Sequence, residues 1–487
     1  MAAKEFIVAI ELGSTKITGI AGRKNLDGSI SVLAVVKEDA TQCIRKGVVY
    51  NIDKTAQCLT NIIAKLKNQL KSEIAHVYVG VGGQSIRSVR NVIVKELPEE
   101  TIITSEMVNE LMDTNRNMTY PDQEILDAAT QEYKVDNQYQ IDPVGIKADR
   151  LEGNFMNILW RKSFYNNLNN CFDKAGIAIQ EMFLAPLALA NSVLNEAERR
   201  GGCVLVDLGS DTTTVSVYFK NVLRHLVVIP LGGNNITKDI ASLQMEESEA
   251  EKMKLRYASA YTDSNDIDSN ATYPIDNERS VESRKFVEIV EARVNEIIEN
   301  VWFQVPSEYV DKLLGGIILT GGGSNMKNIE KAFRLHTQIE KVRTAKFVNH
   351  TITSSNPDIN AHNGTMNTVL GLLAKGDTNC AGQEVNTTRD MFNPDKPSTD
   401  PATTADLHDR PRTAGEIADK GVVLTMAEKQ KAEEEKRKKE EEEQQRIKEE
   451  AERLKKEEEE RRKNSFWNKT WSKISHFGTV IMGPDEE

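Results

Sequence analysis

Val8-Ala9-Ile10-Glu11-Leu12-Gly13-Ser14 and Val204-Leu205-Val206-Asp207-Leu208-Gly209-Ser210 are two copies of one pattern, an apolar run closed by a carboxylate and a Gly-Ser pair. A Thr-rich stretch follows each copy, Thr15 to Ile20 and Thr212 to Tyr218, so each predicts a strand, a tight turn and a return strand. Glycine lets a tight turn aim backbone N–H groups outward together as an anion nest, and a carboxylate at a strand end can hold Mg²⁺ or a water. Two such hairpins facing each other would grip a nucleoside triphosphate from both sides. One copy alone reads equally well as a buried strand ending in a turn, and the duplication is what favours the phosphate reading.

At 487 residues the chain is long enough for several domains. Its five cysteines, Cys43, Cys58, Cys171, Cys203 and Cys380, lie far apart with no Cys-x-x-Cys pair, which argues against a disulfide framework or zinc site and fits a reducing cytoplasm. No secretory leader is expected at the N-terminus, and no apolar run reaches the length of a bilayer span, so any membrane contact is expected to be peripheral. A net charge of −12 speaks against a general nucleic-acid binder, which needs a basic face. Hydrophobic content of 39% is diluted by a polar tail, and the core is expected in the first 375 or so residues.

Working outward from the first copy, Lys4 to Val81 alternates strand and helix patterns, with a helix over Thr55 to Leu70 and a buried strand in His76-Val77-Tyr78-Val79-Gly80-Val81. From Gly82 to Trp160 the text turns polar, predicting an inserted segment with a helix around Ser105–Asn115 and short strands near Tyr133 and Val144–Ala148. The α/β pattern resumes with a helix at Phe164–Ala175, a strand at Glu181–Leu184 and one helix from Pro186 to about Arg199. Beyond Pro230-Leu231-Gly232-Gly233 the pattern is mostly helical, with a polar loop at Thr262–Ser280. An amphipathic helix follows at Val281–Val305, its stripe being Val287, Val290, Val294, Ile297 and Val301. Gly316-Ile317-Ile318-Leu319-Thr320-Gly321-Gly322-Gly323-Ser324-Asn325 reads as a strand, a glycine turn and a helix N-terminus, either a ligand approach or a plain strand-to-helix turn. An apolar helix at Thr368–Leu373 closes the folded part.

Residues 376–426 hold four prolines among Thr and Asp and predict a flexible linker. Residues 427–463 set 15 Glu against 14 Lys plus Arg with only Ile447 and Leu454 large and apolar, too few for a coiled coil. This stretch reads either as a salt-bridged single helix, about 55 Å long at ~1.5 Å per residue, or as a solvated disordered tail. In 464–482, Phe466, Trp467, Trp471, Ile474 and Phe477 share one side of a helical wheel, and Lys469 and Lys473 the other. Such a helix suits a membrane interface or, alternatively, a protein groove.

Two carboxylate–glycine hairpins, a later Thr-Gly-Gly-Gly turn and repeated α/β halves resemble the actin/Hsp70/sugar-kinase ATPase superfamily. Within it, residues 4 to 376 are similar in order and spacing to the bacterial cell-division FtsA family. The matching features are Glu11 in place of the commoner Asp, Gln131-Glu132-Tyr133 ahead of Asp142-Pro143-Val144-Gly145, and Leu223-Arg224-His225 ahead of Ile229-Pro230. The C-terminal amphipathic segment resembles that family's membrane anchor in type and place. The charged segment before it is not a general feature of the family.

The resemblance implies a two-lobed actin-like fold. Residues 1–82 plus 161–203 would form the first-lobe base and 83–160 the inserted subdomain, with 204–235 plus 311–375 as the second-lobe base and 236–310 as its smaller subdomain. ATP and Mg²⁺ would lie between the lobes. Gly13, Ser14, Thr15 and Lys16 would contact phosphates from one side, and Gly209, Ser210, Asp211 and Thr212 from the other, while Glu11 and Asp207 would orient the metal through water. Gly232 and Gly233 would also border the nucleotide, and Gly321, Gly322 and Gly323 the adenine. Glu251 and Lys254 would lie beside the nucleoside, or be solvent-facing helix charges. Two departures point to slow hydrolysis at most: Asp211 would put an anion near the γ-phosphate, and Ala185 stands where Hsp70-like relatives place a Glu before Pro. The resemblance further implies self-association into actin-like filaments and other division-machinery partners on the inserted subdomain. It implies anionic lipid at the tail, and the cytoplasmic face of the inner membrane at the division site. The C-terminal peptide of FtsZ would dock on the smaller second-lobe subdomain, with Arg284, Arg293 and Asn300 either its contacts or a solvated face. The competing reading is a sugar-type small-molecule kinase of the same superfamily, which has no need of an amphipathic tail. A chaperone ATPase is disfavoured because no β-rich substrate domain follows.

Overall fold

The computed structural model describes residues 5–381, apart from 264, 266–270 and 277–278. Expectations for the rest of the linker, for 427–463 and for 464–482, with Phe466, Trp467, Lys469, Trp471, Lys473, Ile474 and Phe477, lie outside the described residues.

The chain opens with β1 (Ile7–Leu12), β2 (Lys16–Lys24) and β3 (Ile30–Asp39), a small ribbon of β4 (Ile44–Arg45) and β5 (Val48–Val49), helix α1 (Ile52–Leu70) and β6 (Val77–Val81). Asn51 caps α1 by accepting from the Lys54 N–H, Asp53 complements the positive helix end, and Lys71 in the left-handed region ends it. Its buried residues Thr55, Leu59, Ile62 and Leu66 recur at helical spacing, and burying each large apolar one contributes about 1.5–3 kcal/mol.

The insert consists of β7 (Arg87–Ile102), α2 (Ser105–Arg116), β8 (Gln123–Val135), β9 (Gln138–Gln140) and β10 (Lys147–Arg161). The short strands expected near Tyr133 and Val144–Ala148 are in fact strands of 13 and 15 residues. Their alternation is blurred because α2, through Leu111, covers Leu97, Leu151 and Phe155 on one face, while residues such as Val92 and Val94 on β7 are exposed among charges. Antiparallel sheets tolerate one solvated face, so strand length here is carried by main-chain pairing rather than by side-chain pattern.

Next come α3 (Lys162–Ala175), β11 (Ile179–Leu184), α4 (Ala185–Val193) and α5 (Glu196–Gly201). The single helix expected over 186–199 is therefore two. Asn195 is extended and forms a reciprocal capping box with Glu198, restarting the helix, and Arg343 then binds the buried Glu198 at 2.6 Å.

The second half repeats the first with β12 (Cys203–Leu208), β13 (Thr213–Phe219) and β14 (Val222–Ile229), followed by α6 (Gly233–Ala241) and α7 (Glu247–Tyr257). A ribbon of β15 (Thr272–Pro274), inside the expected polar loop, and β16 (Ser280–Glu282), which takes the first two residues of the expected helix, leads into α8 (Ser283–Phe303) and α9 (Ser307–Val310). The buried stripe of α8 includes Phe286 and Ile298 with Val290, Val294, Ile297 and Val301, leaving Val287 at its margin. The last elements among the described residues are β17 (Gly316–Thr320), α10 (Ile329–Thr337), β18 (Val342–Thr344), β19 (Ile352–Thr353), α11 (Pro357–Asn360) and α12 (Asn367–Lys375).

Two sheets organise these elements. One runs β11-β6-β1-β2-β3-β19 and the other β18-β17-β12-β13-β14-β7-β10-β8-β9. In each, a parallel trio (β11, β6, β1 or β18, β17, β12) is followed by an antiparallel meander (β1-β2-β3 or β12-β13-β14), so the sequence duplication is a duplication of sheet topology. Separate apolar clusters lie under the halves, one including Ile10, Leu59, Val79 and Leu370, the other Val206, Ile236, Phe286 and Phe333. The insert leaves the first sheet after β6 yet extends the second. Arg87 on β7 pairs with Val227 on β14, and the Val228 N–H donates to the Ile86 carbonyl at 3.1 Å. No helix among the described residues is long and apolar enough to cross a membrane.

Candidate functional site

Both hairpins turn in the same way. In the first, Glu11 pairs with Thr18 and Leu12 with Ile17, and the Gly13 N–H donates to the Lys16 carbonyl at 3.0 Å. In the second, Asp207 pairs with Thr214 and Leu208 with Thr213, and the Gly209 N–H donates to the Thr212 carbonyl at 2.9 Å. A Cβ on Gly13 would sit 2.8 Å from the Lys16 oxygen, and one on Gly209 2.7 Å from the Thr212 oxygen, so each turn requires glycine for its close approach.

The two turns face a common cavity of 240 Å³. Glu11, Gly13, Ser14, Thr15 and Lys16 line it from one side, and Asp207, Gly209, Ser210 and Thr212 from the other, with Gly321 and Gly322 beside them. Burial, and after it the charge of Asp207, pushes the Glu11 carboxyl up to about 7. Burial pushes Asp207 up to about 6. Lys16 lies below the usual lysine range, mainly from burial and then from Lys37 beside it. Two carboxyls so raised repel each other and would be relieved by a cation.

A larger cavity of 1150 Å³ shares Thr15, Gly209, Ser210 and Gly322 with the first, and is lined further by Gly232, Gly233, Glu251, Lys254, Tyr257, Gly323 and Met326. Helix α6 begins against the second turn, its Gly233 N–H donating to the Gly209 carbonyl at 3.0 Å and the Asn234 N–H to the Ser210 carbonyl at 2.7 Å. A Cβ on Gly232 would stand 2.6 Å from the Ser210 oxygen. Gly321, at φ +81, backs onto Asp207, whose carboxylate a Cβ there would meet at 2.3 Å. Glu251 and Lys254 form an ion pair at 2.7 Å on the wall of this cavity, and with its side chain only 10% exposed Lys254 is not a solvated helix charge.

Several residues differ from expectation. Asp211 lines neither cavity: its carboxylate accepts from the Lys46 N–H at 3.1 Å and from Asn234 Nδ2 at 2.7 Å, so the anion is held outside the cavity that Gly209 and Ser210 line. The glycine turn after β17 leads only into a 3₁₀ turn, Gly322–Asn325, because Met326 is extended and α10 starts at Ile329. Arg293 grips Asp239 on α6 with two bonds, at 2.6 and 3.1 Å, and also pairs with Glu296. Its guanidinium is thus ion-paired within the second half while the side chain stays partly exposed. Asn300 donates to the Glu296 carbonyl at 2.8 Å, while Arg284 is exposed.

Other lining residues went unsuspected, among them Thr18, Thr214, Gly47, Gly82, Gly83 and Thr365. The β4–β5 tip, Lys46-Gly47, has both residues at positive φ (50° and 72°) and is clamped from two sides. The Gly47 N–H donates to Ser14 Oγ at 2.8 Å and the Lys46 N–H to Asp211. The register pairs Glu11 with Thr18 and Asp207 with Thr214 would have drawn both threonines from the repeat. Ala185 and Pro186 also line the smaller cavity, at the start of α4.

Comparison with known proteins gives the family. A family model described as cell division protein FtsA matches residues 204–364, and one described as the SHS2 domain inserted in FtsA matches 83–159. A Porphyromonas gingivalis cell division protein FtsA is 34% identical over 335 residues, covering 67% of this chain and 69% of the relative. The Bacillus subtilis cell division protein FtsA is 30% identical over 332 residues, covering 67% and 75%. Among solved structures, the PilM-PilN type IV pilus biogenesis complex matches at a TM-score of 0.52 with 14% identity, over 75% of this chain and 97% of that one, a likeness of fold. With its duplicated actin-like sheets, its inserted subdomain and these relatives, the chain belongs to the FtsA family of cell-division proteins.

Proposed function

We propose that the chain binds ATP with Mg²⁺ between its two sheets and, as an actin-like subunit assembling with copies of itself, links the FtsZ ring to the cytoplasmic face of the inner membrane. The observation that carries the nucleotide part is the pair of matched glycine turns lining one cavity together with Glu11 and Asp207. The residues fit Mg²⁺-ATP: backbone-rich turns suit phosphates, and two carboxyls with raised pKa suit a hard cation. Mg²⁺ would be held through water and phosphate oxygens, with Glu11 and Asp207 orienting them. The bound metal would screen phosphate charge. The chain's own part is to position the phosphates and exclude water, and Ala185 on the cavity wall supplies no base to activate an attacking water. Hydrolysis should accordingly be slow.

The tether rests on the sequence of the tail, where Trp467 and Trp471 oppose Lys469 and Lys473. The FtsZ peptide would take the smaller second-lobe subdomain, with Arg284 a better candidate contact than the ion-paired Arg293. Co-sedimentation of the full chain with anionic liposomes, with and without Mg²⁺-ATP and FtsZ, tests this function. Wild type should pellet and bring FtsZ with it, whereas Trp467→Glu combined with Trp471→Glu should stay in the supernatant with unchanged ATP affinity. Pelleting of the double variant would remove the tail from the proposal.

A further inference from the structure

Residues 377–381, which follow α12, are strapped across the starts of two neighbouring strands. Tyr78 of β6, fully buried, holds the strap through one hydroxyl, which donates to Asp377 Oδ1 at 2.7 Å and accepts from the Asp377 and Thr378 N–H groups at 3.2 and 2.9 Å. Asn379 Oδ1 accepts from the Phe6 N–H at 3.1 Å, and the Cys380 N–H donates to the Phe6 carbonyl at 2.8 Å. Cys380 is buried, its Sγ accepting from the Val8 N–H at 3.3 Å and its carbonyl from the Ala75 N–H at 2.9 Å. Ala381 ends the strap as a bridge to Ile74. A Cβ on Gly376 would stand 2.5 Å from Ile7 Cγ2 and 2.9 Å from Tyr78 Cε2, so the entry to the strap fits these strands without slack.

Three elements run from this strap to the smaller cavity. β1 goes from Val8 to Glu11, β6 from Tyr78 to Gly80 and α12 from Lys375 back to Thr368, and Glu11, Gly80 and Thr368 all line that cavity. The spans are about 10, 7 and 10 Å, at ~3.3 Å per strand residue and ~1.5 Å per helix residue. β1 and β6 pair directly, Ala9 with Tyr78 and Glu11 with Gly80, and α12 lies so close that a Cβ on Gly80 would meet Leu372 Cδ1 at 2.3 Å. Elements packed in this way shift together rather than deform. The strap itself, Asp377-Thr378-Asn379-Cys380-Ala381, has no large apolar side chain and is held by hydrogen bonds, the make-up of a segment that opens locally.

We propose that the strap and the nucleotide cavity are coupled: the docked strap holds β1, β6 and α12 where they favour bound Mg²⁺-ATP, and bound nucleotide in turn holds the strap shut. This rests on the nucleotide reading above. Coupling of this kind is reciprocal, so one factor governs both effects. The nucleotide state thereby sets how firmly the chain is fastened at Ala381 to the first sheet.

The test follows hydrogen exchange of single amides in the full chain, with and without Mg²⁺-ATP, alongside calorimetric ATP affinity. Saturating Mg²⁺-ATP should slow exchange at Phe6, Ala75 and Cys380 by about fivefold or more. Asp136 in the insert, whose N–H donates to the Arg150 carbonyl, is the reference and should not change. Tyr78→Phe combined with Asn379→Ala keeps the ring that stacks on Phe183 and removes the hydroxyl and the amide that hold the strap. In this double variant Cys380 should exchange without protection, and ATP affinity should fall by that same factor. Asn379→Ala alone, at an exposed side chain, serves if the pair does not fold, with a smaller change in the same direction. Unchanged exchange at Cys380 on ATP binding, equal slowing at Asp136, or a variant with Cys380 unprotected that binds ATP like wild type overturns the coupling and leaves nucleotide binding standing. A wild type that binds no ATP overturns both.

Discussion

The two hairpins share a backbone and differ in charge. Gly13 and Gly209 occupy the same place in the same turn, each bonded to a carbonyl three residues on. The positions after the Gly-Ser pair, however, read Thr15-Lys16 in one and Asp211-Thr212 in the other. Lys16 lines the cavity, and Asp211 faces out of it toward Lys46 and Asn234. What the two hairpins share is the main-chain turn and a carboxylate before it, and what differs is the charge after it, Lys16 lining the cavity in one and the uncharged Thr212 in the other. Both turns also use a side chain to hold the same third element, the β4–β5 tip, through Ser14 on one side and Asp211 on the other.

The largest expected effect tests the shared part. Gly13→Val and Gly209→Val each place a Cβ within 2.8 Å of a carbonyl of their own turn, so each alone should abolish ATP binding in a calorimetric titration. Should one of them bind ATP normally, the equivalence of the two hairpins is broken.

The next effect concerns the carboxyls, which differ in kind. Glu11 is raised from 4.5 to about 7 and Asp207 from 3.8 to about 6. A carboxyl raised in the folded state binds its proton there more tightly than in the unfolded chain. Its ionisation therefore costs stability as pH rises from the unfolded to the folded value, and that stability is fully present only below the window. For Glu11 the loss between about pH 4.5 and 7 is on the order of 3 kcal/mol. Thermal melts of the nucleotide-free protein should show wild type falling relative to Glu11→Gln across that range. Asp207→Asn should show a smaller gain, centred at lower pH. Mg²⁺ should restore wild-type stability more at pH 8 than at pH 5.

The smallest effect probes the clamp. Asp211→Ala removes one acceptor from the Lys46 N–H, and Ser14→Ala one from the Gly47 N–H, each a local loss of roughly 1 kcal/mol. Hydrogen exchange should speed at Lys46 alone in the first variant and at Gly47 alone in the second. Acceleration of both amides by either change would mean that the tip is released as a unit and that the two sides act together.

Much of this was readable in the sequence, because carboxylate, glycine and period-2 apolar runs are local properties. The hairpins, α1, α8 and the Thr320-Gly321 turn were visible for that reason. The length of β8 and β10 was not, since their open face mixes Val and Ile with charge. The break at Asn195 was there to be seen in the Asn195-x-x-Glu198 spacing, but an alanine-rich run hid it. Asp211 and Arg293 have the expected residue types in the expected places, yet their orientation is decided by Lys46, Asn234 and Asp239, partners that no periodicity links to them. Thr237 lies in Asn234-Asn235-Ile236-Thr237-Lys238, where nothing local marks a hydroxyl that organises two charges on another helix.

The pairing of β7 with β14 has a consequence for how the chain folds as it is made. The Leu226 N–H that reaches Ser88 Oγ lies 138 positions after it. At about 5–20 residues per second, the insert waits on the order of ten seconds for its neighbour strand to leave the ribosome. During that interval the start of β7, where Arg87 will meet Val227, is an unpaired sheet edge, the kind of surface that recruits wrong partners. Arg87 at that junction, with Arg90, Lys95, Glu96, Glu99 and Glu100 further along β7, sets charge on the strand, so the same polar text that hid it from pattern reading is the kind that disfavours wrong edge pairing.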